Sequence, residues 1–210
     1  MEYLKNDKYI LQQAKTEAHR FFQNTDPAHD FWHSHRVAVW SVRLAEEEGA
    51  DRFICELAAW LHDIADSKLN ETEHAGQANV KNWLDQHVEN SHKRDHVMDI
   101  IKTMSWRKGS NPPMNTLEGR IVQDADRLDA IGAIGIARAF AYSGSHGKPL
   151  HEPAAEDKDN RDTAIQHFFD KLFLLKSLMN TETAKKVANQ RQKYMISYLE
   201  QFYSEWEGKL

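Results

Sequence analysis

One stretch of this sequence combines an almost wholly apolar helical pattern with two adjacent polar residues. Within residues 57–65 only His62 and Asp63 are polar. A helix that is apolar on all sides is buried, and at about 100° per residue no rotation brings both polar groups to water. A buried carboxylate without a partner is very costly, so Asp63 requires an ion pair, a proton or a metal ion.

A hydrogen bond between His62 and Asp63 that closes a core or caps a helix end would satisfy the pair without a metal. Two other segments favour a metal. Residues 121–135 form another mostly apolar helical pattern that carries Asp126 on its core side, and His33 lies on a helix expected to open at about Asp30. Two histidines and two carboxylates from three helices can make one metal site.

The single cysteine narrows the choice of metal chemistry. With only Cys55, the chain has no intramolecular disulfide and no cysteine-based zinc cage. A mixed nitrogen and oxygen ligand set without thiolate suits manganese, iron or magnesium better than structural zinc. Coordination positions left open hold water, which a bound ion acidifies into a nucleophile.

Apolar residues follow helical spacing along nearly the whole chain, which predicts an all-α fold. A helix is expected from about Phe31 to Glu48, ending at Gly49, and Asp51 is a suitable cap for the next. The length of 210 residues fits one domain, 1–210, in which residues 143–160 form a long loop and 161–210 a C-terminal helical extension of the same domain.

Charge and hydropathy exclude several classes of function. The net charge of −5 argues against a broad nucleic-acid-binding surface, although a local basic pocket for a small phosphorylated ligand is compatible with it. The first residues lack a signal-peptide pattern, and no stretch reaches the roughly 18 apolar residues of a membrane span. We therefore expect a cytoplasmic protein that binds neither membranes nor nucleic acid.

The order His33, His62 and Asp63, then Asp126 resembles the signature of the HD superfamily of metal-dependent phosphohydrolases. The chain is similar in particular to small bacterial HD hydrolases that act as nucleotide pyrophosphohydrolases. The likeness covers most of the chain, through residues 30–37, 62–68, 124–132, 167–172 and 180–184. It implies an HD-domain helical bundle whose core helices hold a divalent ion through those four residues.

The resemblance also implies roles for residues around the ion. Asp66 stands where related nucleotidases carry a catalytic carboxylate, which is more usually Glu. The alternative to a catalytic role is that Asp66 caps a helix end or is a solvated charge. Arg36 and Lys68 are expected to contact phosphate, or else to neutralise the acids. Asp129, one turn after Asp126, is expected to support the ligands and the bound substrate from outside the coordination sphere.

The expected activity is hydrolysis of phosphate esters or phosphoanhydrides, with a nucleotide, (d)NTP, as substrate and metal-activated water as nucleophile. Manganese is the expected ion, with magnesium, cobalt, iron or nickel as alternatives, and a homodimer is compatible with the sequence. Alternatives are an HD-type nucleotidase, a cyclic-nucleotide phosphodiesterase and a non-catalytic regulatory module that binds metal and nucleotide. His92 and His96, four residues apart, could hold a second metal or begin a solvated helix.

Overall fold

The computed structural model describes residues 5–24, 30–66, 69–104, 113–153 and 162–209. Every regular element in these ranges is helical, which confirms the all-α prediction. None of the described helices combines the length and apolarity needed to cross a membrane. The chain divides into two compact units, Met1–Asp126 and Arg127–Leu210. That both belong to one domain stays a prediction.

The first unit is built from helices joined by short turns. Its elements are α1 (Lys5–Phe21), a 3₁₀ turn (Phe22–Asn24), α2 (Phe31–Glu48), α3 (Arg52–Leu61), a 3₁₀ turn (His62–Ala65), α4 (Glu73–His87), α5 (Ser91–Thr103) and α6 (Leu117–Asp129), whose last three residues belong to the second unit. Among the described elements, α2 and α3 share the most extensive packing.

The ends of α2 and the start of α3 lie where the sequence predicts them. The Asp30 carboxylate accepts a hydrogen bond from the backbone amide of His33 at 2.8 Å and so caps α2. Gly49 ends α2 in the left-handed region, with φ of 77°. Asp51 caps α3 by accepting from the amide of Phe53 at 2.9 Å. These caps fix where the helix carrying His33 begins and where the next helix starts.

Small side chains explain why α2 and α3 pack so extensively. Ser34, Ala38, Ser41 and Ala45 recur every three or four residues on α2 and are all buried. Ala58 and Ala59 on α3 are fully buried as well. Small residues at a helix contact let the two backbones approach closely. This approach brings the first turn of α2 near the end of α3, where the polar pair lies.

The second unit contains one regular helix before the predicted loop and a series of helical elements after it. These are α7 (Gly132–Ser145), α8 (Ala164–His167), a π-helical turn (Phe168–Leu172), α9 (Phe173–Leu175), a 3₁₀ turn (Lys176–Leu178) and the long α10 (Glu182–Trp206). Phe168, Ile165 and Met195 lie in its core, and α10 packs along α7.

The interpretation of residues 121–135 as one helix is wrong, because the chain breaks between α6 and α7. Gly132 begins α7 with φ of 79°, a conformation that a side chain would strain. A Cβ atom there would lie 2.9 Å from Cγ of Arg191, and its amide donates to Sδ of Met195 at 3.0 Å. Gly132 thus lies in close contact with the side chains of Arg191 and Met195.

The segment predicted as a long loop starts later than expected and is partly anchored. Residues 143–145 lie in α7, and residues 154–160 lie outside the described ranges. The carbonyls of Pro149 and Leu150 accept hydrogen bonds from the first amides of α8. The His151 ring packs edge-on against Tyr203 and Trp206 of α10. The described part of the loop is thus held against its own unit.

Candidate metal centre

The four predicted ligands come from three elements of the first unit. His33 lies in the first turn of α2, His62 and Asp63 form the 3₁₀ turn after α3, and Asp126 lies near the end of α6. The side chains of His33 and His62 are only 4% and 5% exposed, and that of Asp63 is 13% exposed. Two imidazoles and a carboxylate are thus withdrawn from bulk water together.

The structure brings all four side chains together. Nε2 of His33 lies 3.4 Å from Oδ2 of Asp63 and 3.4 Å from Oδ1 of Asp126. Nε2 of His62 lies 3.1 Å from Oδ1 of Asp63. One ligand atom each from His33, His62 and Asp63 can be chosen so that all lie within 4.8 Å of one another. Nitrogen and oxygen atoms gathered in this way can hold a divalent cation.

The His62 ring is oriented by the backbone of α3. Its Nδ1 lies 2.8 Å from the carbonyl oxygen of Ala59, which can only accept, so Nδ1 carries the proton. Nε2 is buried and faces Oδ1 of Asp63 at 3.1 Å, so a proton or a cation is needed between the two atoms. Metal-binding histidines are held in the same way, with one nitrogen donating to a fixed acceptor and the other left for the ion.

The charges of the cluster reinforce one another. Burial lowers the pKa of His62, but the carboxylates of Asp63 and Asp126 raise it more, and the net shift is upward. Partial burial raises the pKa of Asp126, while a hydrogen bond and the charge of His33 lower it more, so the net shift is downward. The two carboxylates therefore favour positive charge beside them, which protons or a metal ion can supply.

One side of the cluster faces solvent. The Asp126 side chain is 41% exposed, in contrast to both histidines. An ion held at this place would keep an approach for water and substrate on the Asp126 side. Open coordination positions distinguish catalytic metal sites from closed structural ones.

The remaining predicted site residues lie in different settings. Arg36 is half-buried on α2, one turn after His33, and Asp66 is half-buried where the 3₁₀ turn ends. Lys68 lies outside the described residues. Asp129 belongs to the second unit, is 2% exposed and accepts a hydrogen bond from Nη1 of Arg138 at 2.7 Å. Their roles in catalysis and substrate binding stay predictions.

The two histidines considered for a second metal join no cluster of candidate ligands in the part of the chain that the structure describes. Nε2 of His96 lies 3.0 Å from the Thr116 hydroxyl and 3.7 Å from Glu118, while His92 is exposed. Within the described ranges, the group of His33, His62 and Asp63 is the one set of three or more candidate ligands that converge. The alternative of a solvated helix start fits His92.

The sequence-based prediction misses Asn70, which holds the turn that carries two of the candidate ligands. Its Nδ2 donates to the carbonyls of Ile64 and Asp66, each at 2.8 Å. Gly76 of α4 leaves room for this contact, because a Cβ there would lie 2.7 Å from Nδ2 of Asn70 and 2.8 Å from the Ala65 carbonyl oxygen. A glycine early in a helix was the available signal for this close approach.

Known proteins resemble this chain in sequence and in fold. The HD domain family model matches residues 31–131. An HD-superfamily hydrolase from Bacillus thuringiensis is 41% identical, with a TM-score of 0.81, over 96% of this chain and 98% of its own. Bacillus subtilis YpgQ is 38% identical over 94% of both chains. The structure of YpgQ in complex with ADP aligns with a TM-score of 0.81 over 95% of this chain and 96% of its own.

The chain therefore belongs to the HD superfamily, the class that the helical fold and the paired histidine and aspartate residues indicate. Its fold is that of HD-superfamily hydrolases. The cluster of His33, His62 and Asp63 is one that could bind a metal ion.

Proposed function

We propose that this protein is a divalent-metal-dependent nucleotide pyrophosphohydrolase that acts on nucleoside and deoxynucleoside triphosphates. The observation that carries the proposal is the His62 ring, whose Nδ1 is fixed by the Ala59 carbonyl and whose buried Nε2 faces the Asp63 carboxylate at 3.1 Å. A ring held in this way is suited to a cation, and Asp63 and His33 face the same point.

The residues present fit a single divalent ion. His33, His62, Asp63 and Asp126 would hold it, and their nitrogen and oxygen donors favour manganese, with magnesium, cobalt, iron or nickel as alternatives. When bound, such an ion lowers the pKa of water and supplies a nucleophile at neutral pH. The exposed edge at Asp126 would admit the phosphate, and the buried histidines would exclude water from the opposite side.

The other predicted residues would balance charge and transfer protons around this centre. Asp66, three residues after Asp63, would orient the attacking water or protonate the leaving oxygen. Arg36 and Lys68 would contact the phosphates, and Asp129 would support the substrate indirectly. The structure of YpgQ in complex with ADP supports a nucleotide as ligand, because that protein shares 38% of its sequence with this chain.

Several finer features accompany the proposal. We expect one domain, a cytoplasmic location and no association with nucleic acid or membranes, and a homodimer is compatible with the sequence. None of these features is needed for the chemistry at the metal centre.

A nucleotide panel assayed with manganese, magnesium and cobalt tests the proposal. We expect pyrophosphate and a nucleoside monophosphate from a triphosphate substrate, and no product when a chelator is present. Asp63→Ala is the inactive variant, and His96→Ala is the matched control because His96 lies outside the cluster. Inorganic phosphate from monophosphates would favour the nucleotidase alternative, hydrolysis of a cyclic nucleotide would favour the phosphodiesterase, and metal-dependent binding without turnover would favour a regulatory module.

A further inference from the structure

Trp32 is the most exposed tryptophan in the part of the chain that the structure describes. The residue is 60% exposed, and Trp206 comes next at 46%. Trp32 lies in the first turn of α2, immediately before His33 of the candidate metal centre. A single exposed aromatic residue carries no function by itself. The free face of its ring and its neighbours on α2 distinguish Trp32.

The ring faces of the other described tryptophans are covered. A stacked ring or a cation lies on each of them: Arg43 on Trp40 at 5.0 Å, Phe31 on Trp60 at 5.8 Å, His87 on Trp83 at 4.2 Å and Phe202 on Trp206 at 5.7 Å. Trp32 instead meets Phe31 and His35 edge-on, with interplanar angles of 68° and 82°. Among the described residues, no ring or cation stacks on its indole. The indole therefore keeps a surface on which a planar ligand can stack.

Trp32 shares one face of α2 with His33 and Arg36. At about 100° per residue, the three side chains fall within an arc of about 100°, and Arg36 lies between the other two. Burial decreases along this arc, because His33 is buried, Arg36 is half-buried and Trp32 is exposed. A candidate metal ligand, a guanidinium and a free aromatic ring thus follow one another from the interior to the surface.

The order of these three groups matches the order of groups in a nucleotide. The phosphates at one end of a nucleotide need cations and guanidinium groups, and the base at the other end offers a planar ring that stacks on aromatic side chains. A nucleotide whose phosphates lie at the buried end of the arc would have its base at the exposed end, where Trp32 lies.

From this arrangement we infer that Trp32 binds the base of the substrate by stacking, and that it thereby selects nucleotides over phosphate compounds without a base. This role rests on the proposed function, because the metal centre has to hold the phosphates. Trp32 would contribute to substrate affinity and take no part in proton transfer or in activating water.

Isothermal titration calorimetry of the manganese-loaded full chain tests this role with two matched ligands. Adenosine 5′-(α,β-methylene)diphosphate resists cleavage between its phosphorus atoms, and methylenediphosphonate is the same group without the nucleoside. We expect Trp32→Ala to bind the nucleotide analogue about tenfold more weakly than the wild type does, because it loses the stacked ring. The affinity for methylenediphosphonate should stay unchanged. Trp32→Phe keeps an aromatic ring and should recover most of the affinity for the analogue.

Tyr9→Ala is the matched control, because Tyr9 is an equally exposed aromatic residue of the first unit, on α1. It should leave both affinities unchanged. Equal binding of the analogue by the wild type and Trp32→Ala would overturn the role of Trp32 and leave the proposed function standing. An equal loss for both ligands in Trp32→Ala would overturn it too, because Trp32 would then support the metal centre. Failure of the wild type to bind either ligand would contradict the proposed function as well.

Discussion

Two carboxylates that are largely withdrawn from solvent, one in each compact unit, are balanced in different ways. Asp129 of the second unit is bonded at 2.7 Å to the guanidinium of Arg138, a permanent positive charge. Asp63 of the first unit lies 3.1 to 3.4 Å from the imidazoles of His62 and His33, whose charge depends on a proton. The first pair is complete within the protein, whereas the second can exchange a proton for a metal ion.

The partners of Asp129 and Asp63 indicate that the first carboxylate contributes to stability and the second to chemistry. A buried acid shows only that a positive partner is needed, and the type of partner indicates what the group is used for. A fixed guanidinium closes the site, while imidazole nitrogens that face carboxylates can give up a proton and bind an ion instead. Substitutions in the two regions should therefore affect different measurements.

The largest effect is expected from Asp63→Ala. A bound metal contributes several kcal/mol to transition-state stabilisation, and about 1.4 kcal/mol corresponds to tenfold in rate, so kcat/KM should fall by at least about 10³-fold. Thermal unfolding in EDTA checks that the variant remains folded. Activity near that of the wild type would contradict the assignment.

Arg138→Ala should give the opposite pattern. It removes the Arg138 guanidinium from the Asp129 carboxylate, which is 2% exposed. Breaking a buried pair typically costs about 3–5 kcal/mol, and we expect about 2–3 kcal/mol here because Arg138 is partly exposed. Chemical denaturation measures this loss. The metal affinity of the folded variant, measured by calorimetry, should stay unchanged. A large drop in that affinity would contradict the difference proposed between the two regions.

Asp66→Asn tests whether the metal centre includes a proton-handling group. General acid or base catalysis contributes about 10²–10⁴-fold, so kcat should fall by at least about 10²-fold while metal affinity is retained. The pH profile of kcat should also lose one limb. Full activity in this variant would instead favour the alternative that Asp66 caps a helix end or is a solvated charge.

A smaller effect is expected from Asn70→Ala, which removes the two hydrogen bonds that hold the turn carrying His62 and Asp63. Partners that orient metal ligands are worth about 10–100-fold in affinity or activity, and we expect about tenfold in metal affinity. Asn70→Asp is a suitable comparison, since it lacks the amide donor but keeps the size. Unchanged metal affinity in both variants would show that the turn holds its shape without Asn70.

His96→Ala should have the smallest effect. Its imidazole contacts Thr116 and Glu118, and no cluster of candidate ligands within the described ranges includes it. Surface changes of this kind usually stay within about 0.5 kcal/mol, which corresponds to roughly a twofold change in kcat/KM. A larger loss of kcat/KM, measured with saturating manganese, would support a second metal site.

Local signals in the sequence were sufficient for much of the first unit. Asp30 and Asp51 are capping residues at helix starts, and Gly49 ends a helix, so α2 is predicted to its observed ends. The polar pair His62 and Asp63 predicts a buried polar site because it interrupts an apolar stretch. The four side chains converge as the resemblance implies, although their binding of a metal is still to be tested.

Other features depend on contacts between segments distant in sequence. The break before Gly132 is set by Arg191 and Met195 of α10, which no local pattern reveals. The tightening of the helix into a 3₁₀ turn at His62–Ala65 depends in part on Asn70, which lies beyond the turn itself. Periodicity alone continues a helix through both places, because it contains no information on tertiary hydrogen bonds.

Anomalous diffraction from crystals grown with manganese would test the central claim most directly. We expect one strong peak bounded by Nε2 of His33, Nε2 of His62 and the carboxylates of Asp63 and Asp126. The same experiment on Asp63→Ala should give a weak peak or none. A manganese peak elsewhere, or a wild-type map in which these four side chains surround no density, would contradict the account.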